Sequence, residues 1–255
     1  MILIHRLTPF VIGAIALVGF VLASRFPLTS VWLLPVVFIL CSILFARLVN
    51  IKVRNIESWI LIGTPLMLLF SASLVFLFLD ADVLRVALGI ITAFFLYFYA
   101  ENLFGFLHLP VFYQPHALQN LTIVLQVLGM FFFVASAHAF LLFVPFIPIT
   151  ALLIFYAPYV FASVSMSLWM GKAPREIIRR YAIGGTLLFV EFFIVLSYLP
   201  STFTTNAAVL AVFYYLFLGL TRVQVQAKLS RLLLRRYLGL GFGMLLLVIL
   251  SAQWT

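Results

Sequence analysis

The sequence predicts an all-α fold: a polytopic transmembrane helical bundle of about nine spans, oriented N-in/C-out. Three observations carry that expectation. The chain of 255 residues is 66% hydrophobic and 8% charged, with a mean hydropathy of +1.29. Soluble domains carry roughly 45–50% apolar and about 25% charged residues, so a water-facing surface cannot be made from this composition and the bilayer must act as solvent. The apolar residues also fall into stretches near the roughly 20 residues that cross a hydrocarbon core. Finally, thirteen of the fifteen Lys and Arg lie on one side once these stretches are laid out in order. Barrel strands are excluded by length, since they alternate polarity over about 10 residues.

The expected spans cover residues 9–24, 30–48, 57–79, 82–107, 116–143, 149–170, 180–199, 205–221 and 236–252. The connections are too short for a soluble domain, so residues 1–255 read as one integral membrane domain with no internal repeat. Local chemistry supports the breaks. Pro27 and Ser30 separate the first two spans. Asn55 with Glu57 two residues on resembles a helix N-cap with an acid in the first turn. Asp82 is placed to cap the fourth helix, and Leu109-Pro110 ends it, because the residue before a proline is pushed out of helical geometry. Pro145 and Pro148 make an apolar turn between helices five and six. Pro174 precedes the basic stretch from Arg175 to Tyr181, where a first-turn proline is tolerated.

With the N-terminus inside, the inner side collects Arg6, Arg47, Lys52, Arg54, Lys172, Arg175, Arg179, Arg180, Arg222, Lys228, Arg231, Arg235 and Arg236. Only Arg25 and Arg85 fall outside, which is the distribution the positive-inside rule requires. A miscounted helix would scatter these charges over both faces. The first span follows a basic N-terminus, and Val21-Leu22-Ala23 is a poor cleavage context, so it reads as a retained signal anchor. Cys41 is the single cysteine and sits in an apolar run, which excludes an internal disulfide.

The net charge of +9 does not point to nucleic acid, because the charges sit at helix ends and not in a projecting basic domain. They face anionic headgroups on the cytoplasmic side, each worth roughly 1 kcal/mol near the surface. Lys228, Arg231, Arg235, Arg236, Arg175 and Arg179 are the candidate contacts to headgroups or to a membrane-protein partner. Gln224, Lys228, Arg231 and Arg235 are spaced four, three and four apart, which predicts one polar stripe on an amphipathic helix in the headgroup layer.

An ionisable group inside a span is costly and marks a functional candidate. Glu191 lies eleven residues beyond Arg180, about 16 Å along a helix, between wholly apolar flanks. Gln126, Thr92, Tyr159 and Ser163 fall at similar depth by counting from their helix ends. Together with Glu191 they form the candidate substrate or proton path if helices four to seven pack together. The neutral alternative is a protonated Glu191 hydrogen-bonded across a helix interface, worth roughly 1–2 kcal/mol or less. A second cluster, Glu101, His108, His116 and Asn120, with Gln119 beside them, is expected to line a cytoplasmic vestibule at the inner ends of helices four and five. No HxxxH or HExxH spacing accompanies it, and no metal or cofactor is expected. His138 is expected at the interface near the outer end of helix five. The pairs Gly89 and Ala93, and Ser163 and Ser167, and the run Gly239, Gly241 and Gly243 are candidate sites of close helix approach.

No nucleophile motif, zinc signature or nucleotide loop is present. The expected function is a non-catalytic subunit or assembly partner of a membrane complex in a cell membrane, of the bacterial cytoplasmic kind. The alternative is a small-solute, lipid or proton-coupled transporter using Glu191, with spans broken at Gly63-Thr64-Pro65 and Pro158.

Overall fold

The structure, a computed structural model, describes residues 2–50, 56–109, 113–114, 116–226 and 230–252, with the side chains of residues 2–5 and of Pro27 outside that description. Its described residues are all-helical, without strands, and contain nine helices long and apolar enough to cross a membrane. They are α1 (Ile2–Arg25), α2 (Ser30–Val49), α3 (Ile56–Phe76), α4 (Asp82–His108), α5 (Ala117–Phe143), α6 (Ile149–Met170), α7 (Arg175–Ser197), α8 (Phe203–Val225) and α9 (Arg231–Ser251). A short 3-10 turn, Pro27–Thr29, joins α1 to α2.

Several ends have clear causes. Asn50 closes α2 in the left-handed region (φ 52) and returns its N–H to the Arg47 carbonyl, a conformation asparagine tolerates. Asn55, the expected cap of α3, lies outside the described residues. Asp82 does not cap α4. The cap position is Ala81, without a side-chain bond, while Asp82 pairs with Arg85 at 3.5 Å. Arg85 also donates through Nε to the Leu79 carbonyl at 2.6 Å and stands over the Phe76 ring.

Three expected boundaries move by five residues or more. Helix α1 starts at Ile2 and not at residue 9. Helix α7 starts at Arg175, because Pro174 takes the N-cap position and Glu176 binds Arg180 one turn on at 2.6 Å. Helix α9 starts at Arg231, with the Ser230 hydroxyl accepting from the Leu233 N–H at 3.2 Å. The expected amphipathic stripe is therefore not one helix. Gln224 belongs to the end of α8, while Arg231 and Arg235 belong to the start of α9, and Lys228 lies outside the described residues. The spacing was helical, but a serine cap restarts the helix within it.

The expected breaks at Pro65 and Pro158 do not occur, since α3 and α6 run through them. In α3 the reason is visible. Proline lacks an N–H, so Pro65 leaves the Leu61 carbonyl without its helical donor. The Tyr99 hydroxyl of α4 donates to that carbonyl at 3.0 Å, and Thr64 turns its hydroxyl back to the Ile60 carbonyl at 3.1 Å.

The chain divides into two compact units, Met1–Leu125 and Gln126–Thr255, with the division falling inside α5. In the first unit α1 packs chiefly on α4 and also on α2, and α3 packs on both α2 and α4. Ile12, Ala16, Phe20 and Ala23 recur at helical spacing on α1 and are fully buried. Glycines bring these helices together, because interhelical attraction in lipid comes from close packing. A side chain at Gly13 would meet the Tyr97 Cβ at 2.9 Å, one at Gly89 would meet the Phe20 Cβ at 2.6 Å, and Gly19 lies against Val37.

In the second unit α6 packs on α7, and α8 contacts α9, α7 and α6. Gly185 admits the Phe217 ring, and Phe189 packs edge-on to Tyr214 and Phe217 with ring centroids 5.2 and 5.5 Å away. Helix α9 rests on α8 through Gly219 against Tyr237 and Gly241 against Leu216. Gly241 is the only buried residue of α9. Gly239 and Gly243 face open space.

Candidate functional site

Three helices of the second unit converge on one polar chain. Ser163 of α6 donates its hydroxyl proton to the Gln126 Oε1 of α5 at 2.5 Å, and its oxygen lies 2.5 Å from the Tyr214 Oη of α8. Serine has one proton to give, so Tyr214 donates to Ser163 and Ser163 to Gln126. The Gln126 amide nitrogen reaches the Met166 sulfur at 3.9 Å. Gln126, Ser163 and Tyr214 are all essentially fully buried. A closed chain of this kind ties α5, α6 and α8 at one depth, since each member would otherwise carry an unmet polar group into an apolar interior.

Aromatic rings surround it. Tyr159, one helical turn before Ser163, is buried and stacks on Phe133 with centroids 4.1 Å apart. Tyr156 lies between Phe133 and Phe193, at 6.2 and 4.7 Å. Its hydroxyl is buried and has no hydrogen-bond partner among the described residues. His138, five residues before the end of α5, is buried, with Nδ1 3.0 Å from the Val134 carbonyl, Nε2 3.5 Å from the Ser197 hydroxyl and its ring against Phe193.

Of the five residues read as one polar layer, Gln126 and Ser163 are joined directly and Tyr159 lies beside them on α6. Thr92 belongs to the first unit, where it is buried on α4 with its hydroxyl unpaired among the described residues. Glu191 is exposed on α7 and forms no hydrogen bond or ion pair among the described residues. Tyr214 is the member that sequence reading missed. It is the twelfth residue of the 23-residue α8, so counting depth from that helix end, as was done for Gln126, would have found it.

The second cluster belongs to the first unit. Glu101 and Asn120 are exposed, and His108 stacks on Phe104 with centroids 4.8 Å apart. His116 takes a left-handed backbone (φ 67) and its Nδ1 lies 3.0 Å from the Gln119 Oε1. Just before α5, the Tyr113 hydroxyl accepts the Leu118 N–H at 2.5 Å, and burial raises that phenol's pKa above its ordinary value. No group of three His, Cys, Asp or Glu with metal-binding geometry occurs among the described residues. The basic candidates Arg175, Arg179, Arg231, Arg235 and Arg236 are all exposed. Comparison with protein-family models, with curated proteins and with solved structures finds no match.

Proposed function

We propose that this chain is a non-catalytic integral subunit, or assembly partner, of a membrane complex. One contrast carries the reading. The polar chain at Gln126, Ser163 and Tyr214 closes on itself, whereas Glu191, a carboxyl deep in a span, faces outward with no partner among the described residues. A transport path calls for polar groups lining an accessible interior. An assembly surface calls for one displayed to a neighbour. A carboxyl facing acyl chains is costly, and a neighbouring subunit relieves that cost.

The proposed orientation is N-in/C-out in a bacterial cytoplasmic membrane, supported by thirteen of the fifteen basic residues falling on one side. In that frame Arg175, Arg179, Arg231, Arg235 and Arg236 meet anionic headgroups or the inner edge of the partner. Single cysteines at the ends of α6 and α9, probed with an impermeant thiol reagent, test the orientation.

The deciding experiment is native mass spectrometry of the protein extracted from its own membrane in mild detergent. A stoichiometric second protein is the expected result, and a lone chain or homo-oligomer refutes the reading. The alternative, a proton-coupled carrier built on Glu191 and Gln126, draws on the buried hydroxyl chain and the unpaired Tyr156 hydroxyl. It requires Glu191→Gln to abolish pH-linked transport in vesicles.

A further inference from the structure

Depth along a helix and direction around it are separate facts, and Glu191 combines them. It lies eleven residues from Arg180 and seven from Tyr198, about 16 Å and about 10 Å along the axis. Around the axis it belongs to an exposed line: Gly184, Leu188, Glu191, Val195 and Tyr198. The steps are four, three, four and three. That is the 3.5-residue period of a seam between two helices.

The seam also has relief. A side chain added at Gly184 would meet nothing within 4 Å. The surface is therefore notched two turns before the carboxyl, where a neighbouring backbone can approach closely. The opposite face of α7 is occupied by Ala182, Gly185, Phe189, Phe193 and Leu196, all buried. The Glu191 face is exposed, with Ile183 and Leu187 flanking the line.

The required occupant follows from charge. Every described Lys and Arg lies in a connection or within two turns of a helix end. A second copy would bring to this depth only another carboxyl. We propose that the Gly184–Leu188–Glu191–Val195 seam docks one transmembrane helix of a different protein, carrying a lysine or arginine at the depth of Glu191. This rests on the subunit reading and names the chemistry of the partner. Burying both charges together replaces two costly exposures to lipid with one hydrogen-bonded ion pair.

The test uses the full chain in lipid vesicles with synthetic single-span polyleucine helices as probes, read by energy transfer. One probe carries a central lysine, one a central glutamate, and one leucine throughout. The lysine helix is expected to associate about tenfold more tightly than the leucine helix. Glu191→Gln should remove most of that difference, and Gly184→Leu should weaken binding of the lysine helix. With Cys41→Ala as background, Leu188→Cys and Val195→Cys should cross-link to a cysteine-bearing lysine probe, while Phe161→Cys on the exposed side of α6 should not. Equal binding of the lysine and leucine helices overturns the proposal, as does indifference to Glu191→Gln. Preference for the glutamate helix, or Glu191-dependent association of the chain with itself, also overturns it by making the occupant a second copy. A native partner that stays bound to the Glu191→Gln protein removes the seam but keeps the subunit reading. Lack of any native partner removes that reading, while the probe result still judges the seam.

Discussion

The Leu61 carbonyl offers a sharp test of how this fold holds a proline inside a span. Tyr99→Phe removes one hydroxyl and leaves the ring, so the packing of Tyr99 against Phe45 is kept. What is lost is the 3.0 Å hydrogen bond to a carbonyl that Pro65 has already deprived of its helical donor. Stranding a buried acceptor costs about 1–3 kcal/mol in protein interiors, whereas interhelical bonds in membranes average only about 0.6 and reach about 1.7. Membrane values are small because separated helices find other partners. Here the nearest other donor, the Thr64 hydroxyl, is already bonded to the Ile60 carbonyl, so the upper part of that range applies, about 1–2 kcal/mol. The assay is reversible unfolding in mixed micelles followed by tryptophan fluorescence, run as a double-mutant cycle with Pro65→Ala. Alanine restores an N–H four residues after Leu61, so in that background Tyr99→Phe should cost less than about 0.5 kcal/mol. Equal costs in the two backgrounds, within about 0.3 kcal/mol, would refute the argument.

Ser163→Ala strands both the Gln126 carbonyl oxygen and the Tyr214 hydroxyl and should destabilise the protein by about 1–3 kcal/mol. Adding Tyr214→Phe should cost little more, because the two share one chain; additive thermal shifts would argue against it. Gly241→Leu overpacks the Leu216 contact and should destabilise the protein by about 1–3 kcal/mol, whereas Gly243→Leu, facing open space, should be nearly neutral. Equal effects would mean that α9 does not seat on Gly241. Tyr113 supplies a pH dependence. Its phenol is raised by burial above the ordinary value of 10.0, so the unfolded chain loses that proton first. The contribution of Tyr113 is full below about pH 10 and is lost as pH rises through the folded value. Tyr113→Phe should flatten the unfolding midpoint across that range, and an unchanged alkaline slope would count against its partly buried placement.

The number and order of spans were legible because each is a long apolar run and the cations cluster near the ends of these runs. The errors came where polarity and helicity part company. Arg175 and Arg179 read as a connection, yet they belong to the first turns of α7, since long basic side chains can extend toward headgroups from within a helix. Counting from helix ends located Gln126 and Ser163 at a common depth but could not orient Glu191. Its neighbours are apolar all the way round, so no periodicity marks the outward side. Tyr214 was passed over because a tyrosine in an aromatic helix resembles packing material, and its hydroxyl acquires meaning only beside Ser163. The Pro65 error was of another kind. Whether a proline breaks a span depends on a donor from another helix, and Tyr99 is 34 positions away in sequence.

The single buried residue of α9 has a consequence for the surrounding lipid. A helix with a single buried residue leaves most of its surface to acyl chains. Its docking free energy is then a small difference between lipid–helix and helix–helix packing, both set by dispersion. Changes in chain length or saturation act on the first of these directly, through the match between the helix and the thickness of the core. Lipid composition should therefore govern the position of α9 more than that of any helix in the buried α1 and α4 pair. The bilayer is in that sense the larger part of its binding site.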